Sequence, residues 1–246
     1  MIAPIYKQEL FDICKEVANR FDGVTFSNNL FTVRIAKFAR TQICAGFTFK
    51  YGVADMDPSI WVCFRKLGKL TAKYTGMGDC TSILNYEKIK YELIKFPKNK
   101  VGLTHIDRKI PAYALENEMY LKNYTLIQDV PELLESMVDD GVRILHKLYD
   151  FSSERNFLEN MPPKYDPPPL DIPMPNYIGV PYTEYHRSAG IVMCLVRMSL
   201  GDFDFIDFYE SDKFNPFAYK YEDMLQRLRE DLPELKRRYE ETGSIW

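Results

Sequence analysis

Apolar residues recur at intervals of three and four between Pro4 and Phe21. This spacing places one apolar stripe along a helix, and proline is tolerated in the first helical turn. Asp22 and Gly23 are typical of the turn that follows such a helix. The pattern therefore predicts an amphipathic helix over residues 4–21. Its apolar positions are Ile5, Leu10, Phe11, Ile13, Cys14, Val17, Ala18 and Phe21.

Short runs of β-branched and aromatic residues follow, separated by turn-forming residues such as Asn28 and Asn29. Within residues 43–51, apolar side chains alternate with small or polar ones, as in a strand with one solvated face. The short separations suit hairpins and leave no room for helical crossovers, so we expect an antiparallel sheet of about five strands. The predicted strands are Val24–Phe26, Leu30–Ile35, Gln42–Tyr51, Ile60–Arg65 and Leu70–Tyr74.

Residues 76–128 carry weaker patterns. We interpret Ile83–Leu93 as a helix and expect the segment Ala112–Leu126 to supply one more edge strand. The segment Tyr74–Asp79 resembles a glycine-rich phosphate loop, but it lacks the third glycine and the lysine. A turn at the end of a strand is the simpler interpretation.

Helical signals begin at Asp129, which can cap a helix. An apolar stripe over residues 133–148 then predicts one long amphipathic helix. Ser152 or Ser153 starts a further short helix that ends near Met161.

Residues 162–175 contain seven prolines, a composition that excludes a helix or a central strand. Such a run travels extended, near polyproline II. Its large apolar side chains favour a strap packed on the protein over a free linker. The strap separates residues 1–161 from a C-terminal helical part, residues 176–246, and we expect the two parts to pack as one body.

The C-terminal part begins with an apolar helix over Thr183–Leu200, closed by Gly201. Two charged helices are predicted over Pro216–Glu230 and Leu232–Glu241, with Pro233 as the break between them. A sheet packed against helices, with this helical part after it, defines the predicted fold class as α+β.

Composition narrows the function only slightly. The 246 residues are 46% hydrophobic and 27% charged, with 17 Tyr and 16 Phe, which is ordinary for a folded domain except for its many aromatic rings. The formal net charge of −3 argues against nucleic acid, which needs a basic surface to displace counterions.

The chain carries no segment that predicts export or membrane insertion. The first residues lack the pattern of a signal peptide, and the most apolar stretch, Ala189–Leu200, is far shorter than the roughly 20 residues of a membrane span. Five cysteines are scattered without paired spacing, which favours free thiols in the cytoplasm. They are Cys14, Cys44, Cys63, Cys80 and Cys194.

No motif in the sequence indicates a catalytic activity. The phosphate-binding P-loop, the nucleophile elbow of hydrolases, the zinc-protease helix and paired Cys-x-x-Cys are all absent. The three histidines, His105, His146 and His186, lie far apart in sequence. The acidic pairs Asp55-x-Asp57 and Asp202-x-Asp204 offer too few ligands for a metal site. We therefore predict neither a cofactor nor a bound metal.

Residues 202–212 are the most unusual stretch, since carboxylates alternate there with aromatic rings. One interpretation is a short amphipathic helix with buried rings and solvated acids. The other is a docking surface whose rings anchor a partner and whose acids steer it by charge. The partner-binding residues of that second interpretation are Asp202, Phe203, Asp204, Phe205, Asp207, Phe208, Tyr209, Glu210 and Asp212.

The order of elements over residues 1–160 resembles bacterial immunity proteins of polymorphic toxin systems, a broad superfamily built from a helix, an antiparallel sheet and further helices. The resemblance implies an antitoxin of bacterial competition, a stoichiometric inhibitor that binds and blocks one cognate toxin. The segments that carry it are the opening helix to Phe21, Leu30–Arg34, Gln42–Phe49, Ile60–Val62, Tyr124–Ile127, Leu133–Tyr149 and Phe151–Leu158.

The sequence thus predicts a non-enzymatic inhibitor of a protein toxin, with no nucleic-acid or membrane partner and with monomer and dimer both open. One rival is an enzyme whose site assembles in space from Cys44, Cys63, His105 or His186. The other rival is a secretion chaperone or adaptor. A sheet face or groove that exposes Phe and Tyr would favour binding, and a deep pocket that gathers these Cys and His side chains would favour catalysis.

Overall fold

The computed structural model describes residues 3–50, 53–76, 104–160, 184–211 and 222–246. In chain order, the described helices are α1 (Ala3–Ala18), α2 (Arg65–Thr75), α3 (Ala112–Leu115), α4 (Glu118–Leu121), α5 (Val130–Leu148), α6 (Glu154–Asn160), α7 (Glu184–Ser199), α8 (Phe205–Glu210) and α9 (Glu222–Thr242). The described strands are β1 (Val24–Ser27), β2 (Leu30–Arg34), β3 (Ala39–Cys44), β4 (Phe47–Lys50), β5 (Val53–Met56), β6 (Ser59–Phe64), β7 (Thr104–Asp107) and β8 (Tyr124–Leu126).

The chain divides into two compact units. The first comprises Met1–Trp61 and Tyr86–Leu148, and the second comprises Val62–Asn85 and Tyr149–Trp246. Strand β6 crosses the division after Trp61. The predicted strap at residues 162–175 lies outside the described residues.

The α+β class is confirmed, but the strands form two sheets rather than one. Sheet A has the order β1-β2-β3-β6, and sheet B has the order β4-β5-β7-β8. The strand predicted over Gln42–Tyr51 is split between them, because β3 ends in sheet A at Cys44 and β4 begins in sheet B at Phe47. Two residues, Ala45 and Gly46, carry the chain from one sheet to the other.

Gly46 is the residue that permits this change of sheet. Its φ of 65° lies in the left-handed region, where any residue with a Cβ is strained. A Cβ at Gly46 would also lie 1.9 Å from the backbone oxygen of Asp57. The carbonyl of Gly46 in turn accepts a long hydrogen bond from the Asp57 N–H, at 3.4 Å. Only glycine allows the two backbone segments to approach this closely.

The first hairpin follows the prediction. Asn28 and Asn29 join β1 to β2 with φ values of 51° and 65°. Positive φ at both central residues is the requirement of a type I′ turn, whose twist matches that of the flanking strands. The resulting register pairs Ser27 with Leu30 and Phe26 with Phe31.

Helices α1 and α5 build the core of the first unit, as their apolar stripes predicted. Helix α5 approaches sheet A closely at Gly141, where a Cβ would lie 2.9 Å from Ile43 Cδ1 and 3.2 Å from Ile60 Cδ1. An ion pair between Arg20 and Glu135 joins the end of α1 to α5. The fully buried residues of the two helices are Leu10, Cys14, Val17, Val130, Leu134, Met137 and Leu145.

One predicted strand, Leu70–Tyr74, is wrong. Residues 70–74 belong to helix α2, which ends where the Gly76 N–H bonds to the Ala72 carbonyl. Its buried residues Leu67, Thr71 and Tyr74 follow helical spacing. The edge strand expected within Ala112–Leu126 is present as β8, which lies at the edge of sheet B, and the residues before it form α3 and α4. Strands β7 and β8 run parallel, and parallel strands require a crossover between them. The predicted helix at residues 83–93 lies outside the described residues.

Helix α7 is the centre of the second unit. All its side chains from Ile191 to Val196 are buried, as expected for a helix surrounded by others. It packs against α2, α8 and α9. Gly201, with φ of 92°, follows its last turn as predicted.

The break predicted at Pro233 is wrong, because α9 runs unbroken from Glu222 to Thr242 with this proline inside. The missing N–H of Pro233 leaves the Arg229 carbonyl without its usual helical donor. Tertiary contacts on both sides offset that loss. Leu228 and Leu235 are buried, and Asp231 accepts hydrogen bonds from Tyr74 and Lys73 of α2.

Gly46→Ala is predicted to destabilise the chain by more than about 3 kcal/mol, because left-handed strain and a backbone clash add. Gly23→Ala is the matched control, since Gly23 has φ of 70° with open space around its Cβ position. It should cost about 1 kcal/mol. Urea denaturation of both variants measures the difference. Equal losses would show that the Asp57 carbonyl is not the constraint.

Candidate functional site

A row of polar side chains crosses one face of sheet B. The strand register pairs Thr48 with Asp55, Asp55 with His105, and His105 with Tyr124. Successive side chains in a strand point to opposite faces, so this row lies on one face. The other face is buried beneath α1, as the contact of Phe11 with Phe49 shows. Its buried residues are Ala54, Met56, Thr104, Ile106 and Thr125.

His105 and Asp55 form the centre of the row. His105 Nδ1 lies 2.6 Å from Asp55 Oδ1, and the two side chains are 33% and 20% exposed. The imidazole also packs on the Tyr124 ring, with centroids 5.1 Å apart. A carboxylate on Nδ1 fixes the orientation and the tautomer of the ring. In the described residues, no three His, Cys, Asp or Glu side chains converge to hold a metal ion.

The row continues into helix α3 through a pair of tyrosines. The hydroxyl oxygens of Tyr113 and Tyr124 lie 2.6 Å apart, and either hydroxyl can donate. This hydrogen bond raises the pKa of Tyr124 to about 12, and partial burial and the negative charges of Asp107 and Asp55 act in the same direction. Tyr124 therefore keeps its proton to a higher pH than an ordinary tyrosine does.

Three large apolar side chains are exposed together on the crossover between β7 and β8. Tyr113 is 61% exposed, Leu115 59% and Tyr120 48%. The rings of Tyr113 and Tyr120 meet edge to face, with centroids 6.4 Å apart and planes at 78°. Single exposed apolar residues are ordinary, whereas exposed rings in contact with each other, as Tyr113 and Tyr120 are, mark a candidate interaction site. We call Tyr113, Leu115 and Tyr120 the aromatic patch.

Sequence reasoning did not find the aromatic patch. Read as an edge strand, residues 112–126 place Tyr113 and Leu115 on one face and Tyr120 on the other. The crossover instead brings all three to the surface of two short helices. The usable signal was the two tyrosines separated by Glu116, Asn117 and Glu118, since acidic and amide residues favour turns and helix ends over a strand.

The acidic and aromatic segment at residues 202–212 does not expose all of its rings, as the predicted docking surface requires. Phe203, Phe205 and Tyr209 are buried in the second unit, whereas Phe208 is 42% exposed. The short amphipathic helix of the alternative interpretation is present as α8. Asp212 lies outside the described residues.

Most acids of this segment have basic partners within the same unit. Asp202 accepts from Arg197 Nε at 2.7 Å. Arg229 of α9 donates to both Asp207 and Glu210, at 2.6 Å each, and these two carboxylates raise the pKa of Arg229. Among the described residues of this segment, Phe208 is the exposed ring, and Asp204 is an exposed acid that takes no part in these ion pairs.

The residues of the alternative enzyme site fall in different units. Cys44 and His105 belong to the first unit, and Cys63 and His186 belong to the second. Cys44 Sγ accepts a hydrogen bond from the Gly46 N–H at 3.2 Å, and burial raises the pKa of its thiol. Cys63 is buried. Neither unit alone collects the four side chains into one site.

Tyr113→Phe is predicted to lower the pKa of Tyr124 from about 12 toward the ordinary value near 10, because it removes the hydroxyl partner. The raised pKa favours the neutral phenol in the folded state. Its contribution to stability is therefore present below pH about 10 and is lost as pH rises through about 12. Titration of ¹³Cζ-labelled tyrosine by NMR measures the shift. Tyr120→Phe is the control and should leave Tyr124 unchanged; an unchanged pKa in Tyr113→Phe would refute the hydroxyl pair.

Gly190→Ala tests whether Tyr209 belongs to the core. A Cβ at Gly190 would lie 1.9 Å from the Tyr209 hydroxyl and 2.3 Å from its Cζ, so the substitution should cost several kcal/mol, on the order of 3. In a Tyr209→Ala background the same substitution should cost at least about 1 kcal/mol less, a coupling measured by a double-mutant cycle in urea. The matched cycle with Phe208→Ala should be additive. Additivity with Tyr209→Ala would place the Tyr209 ring away from Gly190.

Among the described helices, none has both the length and the apolar composition of a membrane span. Comparisons with protein families, with curated proteins and with solved structures each find no match. Function is therefore inferred from the residues and their geometry.

Proposed function

We propose that this chain is a non-enzymatic inhibitor that binds a folded bacterial toxin and occludes it through the aromatic patch. The observation that carries the proposal is the exposure of Tyr113, Leu115 and Tyr120 within eight residues. Burying such side chains against a partner removes their apolar surface from water, which stabilises the complex.

The chemistry of the aromatic patch suits protein binding. Tyrosine is enriched at binding hot spots, because its ring supplies a large contact area and its hydroxyl supplies a hydrogen bond. The Tyr113 hydroxyl is already held by Tyr124, and the Tyr120 ring packs on Tyr113. Less side-chain entropy is then lost when a partner binds.

The class of partner comes from the sequence. The pattern of residues 1–160 resembles immunity proteins, whose partner is one folded toxin. A toxin inhibitor needs an accessible contact surface and no catalytic group, and the aromatic patch provides such a surface on the first unit. Chaperone function is the competing proposal, and it requires a client that is held unfolded.

The paired His105 and Asp55 favour a second candidate, an enzyme with an oriented imidazole. The phenol beside that imidazole belongs to Tyr124, whose pKa is raised to about 12. A phenol with that pKa is a poor proton donor near neutral pH. The His105–Asp55 pair is equally compatible with an inhibitor. The His105 ring packs on Tyr124, and the Tyr124 hydroxyl is bonded to that of Tyr113.

Tyr113→Ala with Tyr120→Ala is predicted to weaken toxin binding about 100-fold or more, because two hot-spot rings are lost. The partner is first captured from the native host with tagged chain and identified by mass spectrometry. It is then expressed alone, to measure growth arrest, and together with each variant, to measure protection. The double variant should lose protection while its urea midpoint stays within about 0.5 M of wild type, since both rings are exposed.

Phe208→Ala is the matched control, because it removes an exposed ring from the second unit and should protect as well as wild type. Protection lost with Phe208→Ala and kept by the double variant would move the contact to residues 202–212. A captured partner that causes no growth arrest, or that binds only when unfolded, would overturn the inhibitor proposal. His105→Ala that abolishes protection while binding persists would favour the enzyme.

A further inference from the structure

We infer that the aromatic patch receives a cationic side chain, an arginine or a lysine, from its partner. This inference rests on the proposed function, because it takes the aromatic patch as the contact surface. It specifies which type of partner side chain the aromatic patch binds.

The two rings of the aromatic patch offer open faces to a cation. A guanidinium or ammonium group within about 6 Å of a ring centroid is attracted by the electron-rich face. Tyr113 and Tyr120 are 61% and 48% exposed, and their planes at 78° form two sides of a corner. Among the described residues, no lysine or arginine lies over either ring.

The same chain places cations over rings elsewhere. Lys73 lies over the Tyr74 ring and Arg197 over the Phe205 ring, each at 5.4 Å from the centroid. Both contacts join a ring to a cation that also has a carboxylate partner, Asp231 for Lys73 and Asp202 for Arg197. A cation held by a ring and a carboxylate is thus a repeated arrangement in the second unit.

Carboxylates also lie near the aromatic patch. Glu116 follows Tyr113 by three residues across the end of α3, a spacing that makes the two side chains neighbours on a helix. Asp107 lies close enough to Tyr124 for its charge to raise the Tyr124 pKa, and Asp55 acts likewise. Glu116 therefore places a negative charge beside Tyr113, and Asp107 and Asp55 place negative charge around Tyr124, the hydrogen-bond partner of Tyr113.

Local basic residues neutralise this charge only in part. Arg108 is paired with Glu9 at 2.6 Å, and Lys122 is paired with Glu118 at 3.2 Å. Lys109 is exposed beside Arg108 and is the further cation of this stretch. Among the described residues Glu116 makes no ion pair, and Asp107 accepts a hydrogen bond from the Arg108 backbone N–H at 2.6 Å. Both negative charges attract a cation and repel an anionic ligand.

A purely apolar partner group would fit the aromatic patch less well than a cation. Covering Glu116 with apolar surface removes water from a carboxylate that has no ion-pair partner among the described residues. Arginine stacks its planar guanidinium on a ring and can donate to Glu116 at the same time. The geometry therefore favours arginine over an aliphatic side chain.

The test uses the full chain and small probes that differ only in charge. Acetyl-arginine amide and acetyl-citrulline amide are nearly isosteric, and citrulline is neutral. Each is titrated into ¹⁵N-labelled protein while the backbone resonances of residues 112–121 are followed by NMR. Arginine should bind at least about fivefold more tightly than citrulline, which is the range expected for a partly exposed cation–π contact with a carboxylate nearby. Inorganic phosphate should leave these resonances in place.

Matched variants distinguish the contribution of the ring faces to arginine binding from that of the hydroxyls. Tyr113→Phe with Tyr120→Phe keeps both ring faces and should keep the preference for arginine. Tyr113→Leu with Tyr120→Leu keeps apolar surface without ring faces and should abolish the preference. Glu116→Gln should reduce arginine binding about twofold and make it less sensitive to salt. Equal binding of arginine and citrulline, a preference that survives the leucine variant, or stronger binding of phosphate would each overturn the inference.

These outcomes are distinct from those of the protection assay. Loss of protection in Tyr113→Ala with Tyr120→Ala, together with equal binding of arginine and citrulline, would keep the contact surface and reject the cation. Selective arginine binding in a protein that protects against no toxin would keep the cation site and reject the inhibitor.

Discussion

The close approach of two backbone segments at Gly46 is the constraint on which the first unit depends. Its φ of 65° and the Asp57 carbonyl at its Cβ position allow the chain to leave sheet A and to begin sheet B within two residues. Without that turn, β3 and β4 would continue as one strand and the polar row would have no sheet of its own. The requirement is steric, because any side chain larger than hydrogen occupies the space of the Asp57 oxygen.

The second constraint is the parallel pairing of β7 with β8. Parallel neighbours cannot be joined by a hairpin, so the chain crosses over through α3 and α4, which are too short to bury every apolar residue they carry. Tyr113, Leu115 and Tyr120 stay at the surface for this reason. The polar row of sheet B ends at Tyr124, and its bond to Tyr113 ties the crossover to the sheet.

Two segments of the chain, residues 202–212 and residues 107–120, are rich in aromatic and acidic side chains but differ in how those side chains are placed. Around residues 202–212, most rings enter the core and Arg229 pairs with Asp207 and Glu210, so the segment stabilises the second unit. Around residues 107–120, the rings remain exposed and Asp107 and Glu116 lack such a partner among the described residues. Composition alone favoured the first segment as a binding surface, because its alternation of acid and ring is the more regular.

The sequence by itself determined the local features whose causes are local. These are the apolar stripes of α1, α5 and α7, the Asn28–Asn29 turn, the glycine end at Gly201 and the α+β class. Tertiary structure decided what depends on partners far away in the chain. Examples are the helix at Leu70–Tyr74, the passage of α9 through Pro233, the division into two sheets, and which rings are exposed. A ring contributes the same local pattern whether it is buried or exposed, so only the packing of distant segments against it settles whether it stabilises the fold or faces a partner.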